Sequence, residues 1–158
     1  MNNLIHRIVS AQAGWAPLAL RMPVGIILLA HGGQKLFGLF GGYGLAGTGQ
    51  FMDSIGIHPG VLMALLAGSA EFFGGLALLF GLLVRPAAAV VAFTMVVAIL
   101  SVHISHGLFM TNNGYEYALA LLAVAVALVL SGAGRGSVDS ALTARLNPAP
   151  SRRPATGS

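Results

Sequence analysis

The chain has 158 residues, of which 56% are hydrophobic and only 8% are charged, and it contains no cysteine. A soluble globular domain carries roughly 25% charged residues, so this composition predicts an all-α integral membrane protein. The lack of cysteine excludes a disulfide, a thiolate nucleophile and a cysteine metal ligand within the chain. The net charge of +4 does not indicate nucleic acid, because the basic residues lie in predicted loops and in the tail.

The chain begins with an amphipathic stretch. Apolar residues share one helical face within residues 3–13, which favours a short helix lying on the membrane surface. We therefore predict an interfacial segment at residues 1–16 and a transmembrane domain at residues 17–132. A cytoplasmic tail rich in Gly, Ser, Pro and Arg follows at residues 133–158; Val138, Leu142 and Leu146 favour a short surface helix, with disorder beyond Asn147.

Four apolar segments are long enough to cross a bilayer. They lie at about Leu18–Phe40, Gly60–Leu83, Pro86–His106 and Tyr115–Ser131. The turns between the later segments are short, which predicts an antiparallel bundle of four transmembrane helices. Residues 41–59 join the first two spans as a small Gly-rich outer cap, in which glycines break regular structure and residues 50–56 form a short surface turn.

The basic residues predict the orientation. The side that holds both termini carries Arg7, Arg21, Arg85, Arg135, Arg145, Arg152 and Arg153, whereas only Lys35 leans toward the other side. Positive charge favours the cytoplasmic face, so we expect both termini in the cytoplasm and a multi-pass protein of the bacterial inner membrane.

The first span carries a polar face. Arg21, Leu28, His31 and Lys35 recur at helical spacing, and Gln34 lies beside them. Arg21 falls at the cytoplasmic end, where it is an interfacial anchor or a ligand-binding residue.

Glu71 is the only charge in the second span, and burying a carboxylate there costs at least about 2.5–3.5 kcal/mol. Ala67, Gly74 and Gly75 share its face and let another helix approach closely. Glu71 either fixes helix packing or takes part in binding or proton transfer.

From the outer ends of their helices, His31 lies roughly 14 Å deep and Glu71 roughly 17 Å deep. We therefore predict a His31–Glu71 contact, with Lys35 covering the site from above or reaching down on its long side chain.

His103 closes the third span and Glu116 opens the fourth, both at the outer side. Glu116 heads a stripe of small residues, which favours an inward-facing role; the stripe continues through Ala120, Ala123 and Ala127. His103, His106 and Glu116 are suitable metal ligands, but their spacing is not diagnostic and we predict no metal site. His31 and His103 differ by roughly 9–10 Å in depth, which argues against haem bound by two histidines.

These observations define the candidate site. The predicted catalytic residues are Glu71, His31 and Lys35. The predicted ligand-binding residues are Arg21, Gln34, His103 and Glu116.

The residues also resemble the DoxX family of small four-helix membrane proteins. The resemblance is carried by Arg21, by His31-Gly32-Gly33-Gln34-Lys35, by Glu71-Phe72-Phe73-Gly74-Gly75 and by Arg85-Pro86. It covers about residues 15–132, with Arg21, Lys35, Glu71 and His103 at the polar motif positions of the family.

The resemblance implies a link to membrane redox chemistry, since DoxD relatives form the large subunit of a thiosulfate:quinone oxidoreductase. A quinone is therefore the candidate cofactor, and redox proteins or a second copy of the chain are candidate partners within the lipid bilayer. Four-helix thiol oxidoreductases use cysteine pairs, and this chain has none, so a partner subunit or a different chemistry is needed.

Three functions remain open on the sequence. The first is a quinone- or small-molecule-binding subunit of an oxidoreductase system, with the ring held by Lys35 or His103. The second is a proton-coupled carrier of a small solute that uses Glu71, and the third is a non-catalytic assembly partner of a membrane complex.

Overall fold

The computed structural model describes residues 14–146, and every regular element within this range is helical. The α-helices are α1 (Ala16–Phe37), α2 (Gly44–Ser54), α3 (Gly60–Phe80), α4 (Val84–Ala98), α5 (Glu116–Ser131) and α6 (Val138–Leu146). A wider π-helical turn at Ile99–His103 extends α4, and two short 3₁₀ turns follow it, at Ile104–His106 and Met110–Asn112. The interfacial helix predicted within residues 3–13 and the disorder predicted beyond Asn147 lie outside the described residues.

The membrane character predicted from composition is confirmed. Three helices in the described range are long and apolar enough to span a bilayer, namely Ala16–Phe37, Gly60–Phe80 and the extended helix Val84–His106. Helix α5 is a shorter apolar helix. The described part of the chain is therefore all-helical, with its apolar helices close to the segments that hydropathy predicts.

Helices α1 and α3 form the tightest interface, because glycines allow their backbones to approach. A Cβ at Gly32 would lie 2.4 Å from the backbone nitrogen of Phe72, and a Cβ at Gly75 would lie 2.8 Å from the carbonyl oxygen of Gly25. Gly68 similarly lies against the side chains of Lys35 and Leu36. We call these contacts the glycine seam. The small-residue face predicted for Glu71 thus packs as expected against a neighbouring helix.

Helices α4 and α5 supply much of the apolar core. Buried residues recur at helical spacing on both helices: Val84, Ala88, Val91 and Met95 on α4, and Ala118, Leu121, Ala125 and Leu128 on α5. On α5 the buried face is not the predicted one, since Ala120 and Ala123 are exposed. The inward stripe headed by Glu116 is therefore wrong, because an adjacent face of α5 packs into the interior instead, with Ala118, Leu121, Ala125 and Leu128.

One end of the molecule is held together by hydrogen bonds to backbone groups. The fully buried guanidinium of Arg21 donates to the carbonyl oxygens of Leu78 (3.1 Å) and Leu79 (2.8 Å) at the end of α3, and also to that of Gly136. The carboxylate of Asp139 on α6 accepts the backbone N–H groups of Leu83 (2.8 Å) and Val84 (3.0 Å), where α4 begins. We call this the arginine end.

The opposite end, the cap end, is covered by α2. The sequence predicted that glycines would interrupt regular structure here, yet α2 runs continuously through Gly47 and Gly49. The reason is tertiary packing: a Cβ at Gly49 would lie 2.9 Å from the backbone of Val61, so only a glycine lets α2 lie this close to α3. The short surface turn predicted at residues 50–56 is part of this helix as far as Ser54.

Candidate functional site

A cavity of about 600 Å³ lies among α1–α5 in the half of the molecule nearer the cap end. Its walls are mainly apolar, with Leu28, Met95 and Leu121 among the buried lining residues. Its polar side chains come from every helix that surrounds it. They are His31, Lys35, Tyr43, Thr48, Glu71, Thr94, Ser101, His103, Asn113 and Tyr117. An apolar pocket with a few convergent polar groups is the usual form of a small-molecule site.

Lys35 and Glu71 form an ion pair in the wall of this cavity. The side chain of Glu71 is 7% exposed and that of Lys35 is 27% exposed, so the carboxylate is the more deeply buried partner. Lys35 thus reaches down on its long side chain, which was one of the two arrangements predicted. The ammonium group has three donors, and the pair with Glu71 leaves donors that a ligand in the cavity can use.

His31 lines the same cavity but packs against a different partner from the one predicted. Its ring lies against that of Tyr117 on α5, with the centroids 6.0 Å apart and the planes inclined by 49°. Within residues 14–146, the structure shows no hydrogen bond between His31 and Glu71; the Oε2 of Glu71 accepts from Lys35 instead. Tyr117 is a cavity residue that the sequence prediction did not select.

His103 lies at the π-helical turn, where the backbone of the extended α4 widens beside the cavity. Such turns occur frequently at functional sites. Its Nδ1 donates to the carbonyl oxygen of Asn113 at 2.8 Å. In a neutral ring this bond leaves Nε2 as an acceptor, which is available to a hydroxyl group of a ligand.

Gln34 belongs to a smaller neighbouring hollow of about 300 Å³ under the cap. The hollow and the main cavity share His31, Lys35 and Thr48 in their walls. Gln34 donates from Nε2 to the carbonyl oxygen of Phe40 at 3.3 Å. The structure therefore places Gln34 beside the site rather than inside the main cavity.

The two remaining predicted ligand-binding residues lie outside the cavity. Arg21 is at the arginine end, where its Nη1 and Nη2 groups donate to backbone carbonyls. Glu116 accepts the backbone N–H of Met110 at 2.7 Å and so fixes the turn before α5. His106 donates back to the carbonyl of Val102 at 3.0 Å. Within the described range, no three metal-ligating side chains gather at one point.

The cap has its own polar contact, at the start of α3. Asp53 lies 2.7 Å from His58 Nδ1 and accepts the backbone N–H of Gly60 at 2.8 Å. These hydrogen bonds, with that from His58 the larger cause, hold the pKa of Asp53 below its ordinary value. The carboxylate therefore caps α3 in its ionised form and ties α2 to it.

The fold and the site together define a class: a multi-pass membrane protein with a polar site inside apolar helices. Comparison of sequences gives the family, since the DoxX family profile matches residues 16–104. This chain belongs to the DoxX family, as the resemblance implied.

Two relatives support this membership. The Bacillus subtilis (strain 168) protein named "Putative oxidoreductase CatD" is 35% identical over 111 residues, which cover 70% of this chain and 76% of the relative. The Escherichia coli (strain K12) "Inner membrane protein YqjF" is 33% identical over 131 residues, or 79% and 90% of the two chains. No solved structure gives a significant match. With the apolar helices, these findings identify a multi-pass protein of the inner membrane.

Proposed function

We propose that this protein binds a ring-shaped redox molecule, with a quinone as the leading candidate, as a subunit of an inner-membrane oxidoreductase system. The observation that carries the proposal is the cavity of about 600 Å³, in which an apolar wall surrounds the Lys35–Glu71 pair, His31 and His103. The name of the B. subtilis relative, "Putative oxidoreductase CatD", is consistent with this proposal.

The cavity offers the groups that quinone chemistry requires. Reduction of a quinone to a quinol takes up two electrons and two protons, and the protons must reach an apolar site. Lys35 can donate a hydrogen bond to one carbonyl oxygen, while Nε2 of His103 can accept from the hydroxyl group of the quinol. Glu71 and His31 are the candidate proton carriers, since both titratable groups line the cavity. The electrons come from a redox partner protein, because this chain has no cysteine pair.

The test is the identity of what the purified protein carries. We expect mass spectrometry of a solvent extract from gently purified protein to reveal a quinone, and redox difference spectra to follow its reduction. Glu71→Gln should lower its occupancy, whereas Asp53→Asn, which removes a carboxylate outside the cavity, should not. Absence of any ring compound, together with wild-type behaviour of Glu71→Gln, would refute the proposal.

We also propose the topology in which the site works. Helices α1, α3, α4 and α5 cross the membrane in an antiparallel arrangement, with both termini in the cytoplasm and residues 17–132 as the membrane domain. The order of contacts supports this: Gly25 of α1 meets Gly75 of α3, while Gly32, further along α1, meets Phe72, earlier on α3. Arg21 and Gly136 bond at one end, and Lys35 lies toward the other.

A further inference from the structure

The wall of the cavity formed by α4 includes a residue that also belongs to the outer surface of this helix. Phe93, Val97 and Leu100 follow one another at helical spacing and are 70%, 41% and 60% exposed, so they form an outward apolar stripe. Of these three, Val97 also lines the cavity. The cavity therefore reaches the outside of the molecule at Val97.

Contacts between helices close other parts of the wall, while the exposed side chains of Tyr43 and Phe51 mark a second margin of the cavity at the cap. The glycine seam brings α1 against α3, and the ring contact between His31 and Tyr117 joins α1 to α5. Toward the arginine end, α3 and α4 also meet closely, since a Cβ at Gly74 would lie 2.9 Å from Cγ2 of Val91. Nearer the cap, Ala67 of α3 and Val97 of α4 both line the cavity, so the opening at Val97 lies between these two helices.

The rim of this opening is made of four residues with small side chains, three of them apolar. Ala67 contributes from α3, and Val97, Ala98 and Ser101 contribute from α4. We call these four residues the side opening. Phe51, Met52 and Ile57 lie above, at the cap. Both helices are long and apolar enough to span a bilayer, so the side opening faces lipid hydrocarbon rather than water.

We propose that the ligand is a lipid-dissolved molecule whose ring occupies the cavity and whose apolar chain leaves through the side opening between Ala67 and Val97. This inference rests on the proposed ring-binding function and specifies the class of ligand: a ring that carries a long apolar substituent. The ring reaches Lys35 and Glu71 from within the bilayer. Small side chains at the rim leave room for a chain, and the continuous apolar surface keeps it out of water.

The direct test is photo-crosslinking of the purified protein in lipid nanodiscs. The probe is a methoxy-substituted benzoquinone with a decyl chain that carries a diazirine near its end. We expect mass spectrometry to find the label on the side opening, and an excess of the unlabelled decyl quinone to suppress it. Labelling at Tyr43 and Phe51 under the cap, or along α5, would overturn the inference.

A pair of variants tests the same point by affinity. Val97→Trp fills the side opening, whereas Leu100→Trp places the same side chain on the same outward stripe but outside the cavity wall. We expect Val97→Trp to weaken binding of the decyl quinone by at least about tenfold, as an obstructed apolar pocket does, and to leave the same quinone without a chain unchanged. Leu100→Trp should bind both quinones like the wild type.

The outcomes separate the inference from the function on which it rests. If neither quinone binds the wild type, the proposed function and the inference both fail. If both quinones bind but the chain adds no affinity and Val97→Trp has no effect, only the inference fails. If a diazirine-bearing phospholipid labels the side opening and the decyl quinone does not compete, the opening holds a lipid acyl chain, and the inference is again overturned.

Discussion

The ion pair of Lys35 and Glu71 stabilises two charges that neither side chain could carry alone within an apolar span. An unpaired charge at such depth is costly, and a partner within hydrogen-bond reach offsets part of that cost. The two residues are not equivalent, because Lys35 is 27% exposed and Glu71 only 7%. A lysine that loses its partner can turn toward the surface on its flexible chain, whereas the shorter glutamate cannot.

This difference in exposure predicts that Lys35→Met and Glu71→Gln lower the stability of the fold by different amounts. Lys35→Met should lower the free energy of unfolding by about 3 kcal/mol, at the low end for a broken buried pair because Lys35 is partly exposed. Glu71→Gln should cost only about 1–2 kcal/mol, since the freed lysine can reorient. Equilibrium unfolding in mixed detergent micelles measures both.

The double variant Lys35→Met/Glu71→Gln is the control for this interpretation. It removes both charges together, so it should cost clearly less than the sum of the two single variants. Strictly additive losses would show that the two side chains stabilise the fold independently and that the pair contributes nothing by itself.

Asp53 gives a separate prediction for acid conditions. Its pKa is lower in the folded state than in the unfolded chain, so its contribution to stability is fully present above the unfolded value and is lost as the pH falls through the folded pKa. The difference in melting temperature between wild type and Asp53→Asn should therefore be constant near neutral pH and shrink in strong acid. A difference that persists unchanged in strong acid would contradict the capping role.

At the scale of single residues, the sequence predicted some of the side chains that line the cavity but not how they pair. His31, Lys35, Glu71 and His103 line it, whereas Arg21 and Glu116 lie elsewhere. Summing the rise per residue placed His31 level with Glu71, because this estimate follows Cα positions along the helix axis. A lysine side chain can span roughly one helical turn of about 5.4 Å, so Lys35 reaches Glu71 from above. Tyr117 could not be selected because the rotation of α5 depends on the turn that precedes it.

At the scale of elements, the glycine seam determines where the pair forms. Gly32 lies against the backbone of Phe72, the residue after Glu71, and Gly68 lies against the Cβ of Lys35. The small residues therefore set the separation of α1 and α3 at the level of the pair. Small residues commonly serve this purpose between membrane helices.

Two adjacent glycines allow a matched test of the seam. Gly32→Ala would put a Cβ 2.4 Å from the backbone nitrogen of Phe72, so the helices must separate, at a cost of about 1–3 kcal/mol. A Cβ at Gly33 would meet nothing closer than the side chain of Leu39 at 3.4 Å, so Gly33→Ala should be neutral or stabilise by up to about 1 kcal/mol. Thermal unfolding in detergent compares them, and equal effects would exclude the seam as the cause.

The helices also show which features sequence patterns can predict and which they cannot. Hydropathy located the spans to within a few residues, because lipid imposes a length on an apolar helix. The helix through Gly47 and Gly49 escaped prediction, since its stability comes from contact with α3 rather than from helix propensity. The π-helical turn that ends at His103 also has no signature in residue order, because it reflects how the end of α4 fits its neighbours.

At the scale of the whole molecule, the lack of cysteine makes the orientation directly measurable. Ser54→Cys lies exposed at the cap end, and Ala144→Cys lies exposed on α6. If both termini are cytoplasmic, a membrane-impermeant thiol reagent should label Ser54→Cys in intact spheroplasts and Ala144→Cys only after the membrane is opened. The wild type, with no thiol, is the background control, and the reverse labelling pattern would invert the proposed topology.

The hydrogen bonds of Asp139 set a condition on synthesis. When the amide groups of Leu83 and Val84 emerge from the ribosome, their hydrogen-bond acceptor has not yet been synthesised, because Asp139 follows Leu83 by 56 residues. Helix α6, the last helix described, thus supplies the hydrogen-bond acceptor for the backbone N–H groups at the start of α4. A premature stop codon between Ser131 and Asp139 would release a chain that keeps the apolar helices described above but lacks the acceptor for the amides of Leu83 and Val84, and we expect quality-control proteases to degrade it. A tag fused after Leu146 leaves the same contacts intact.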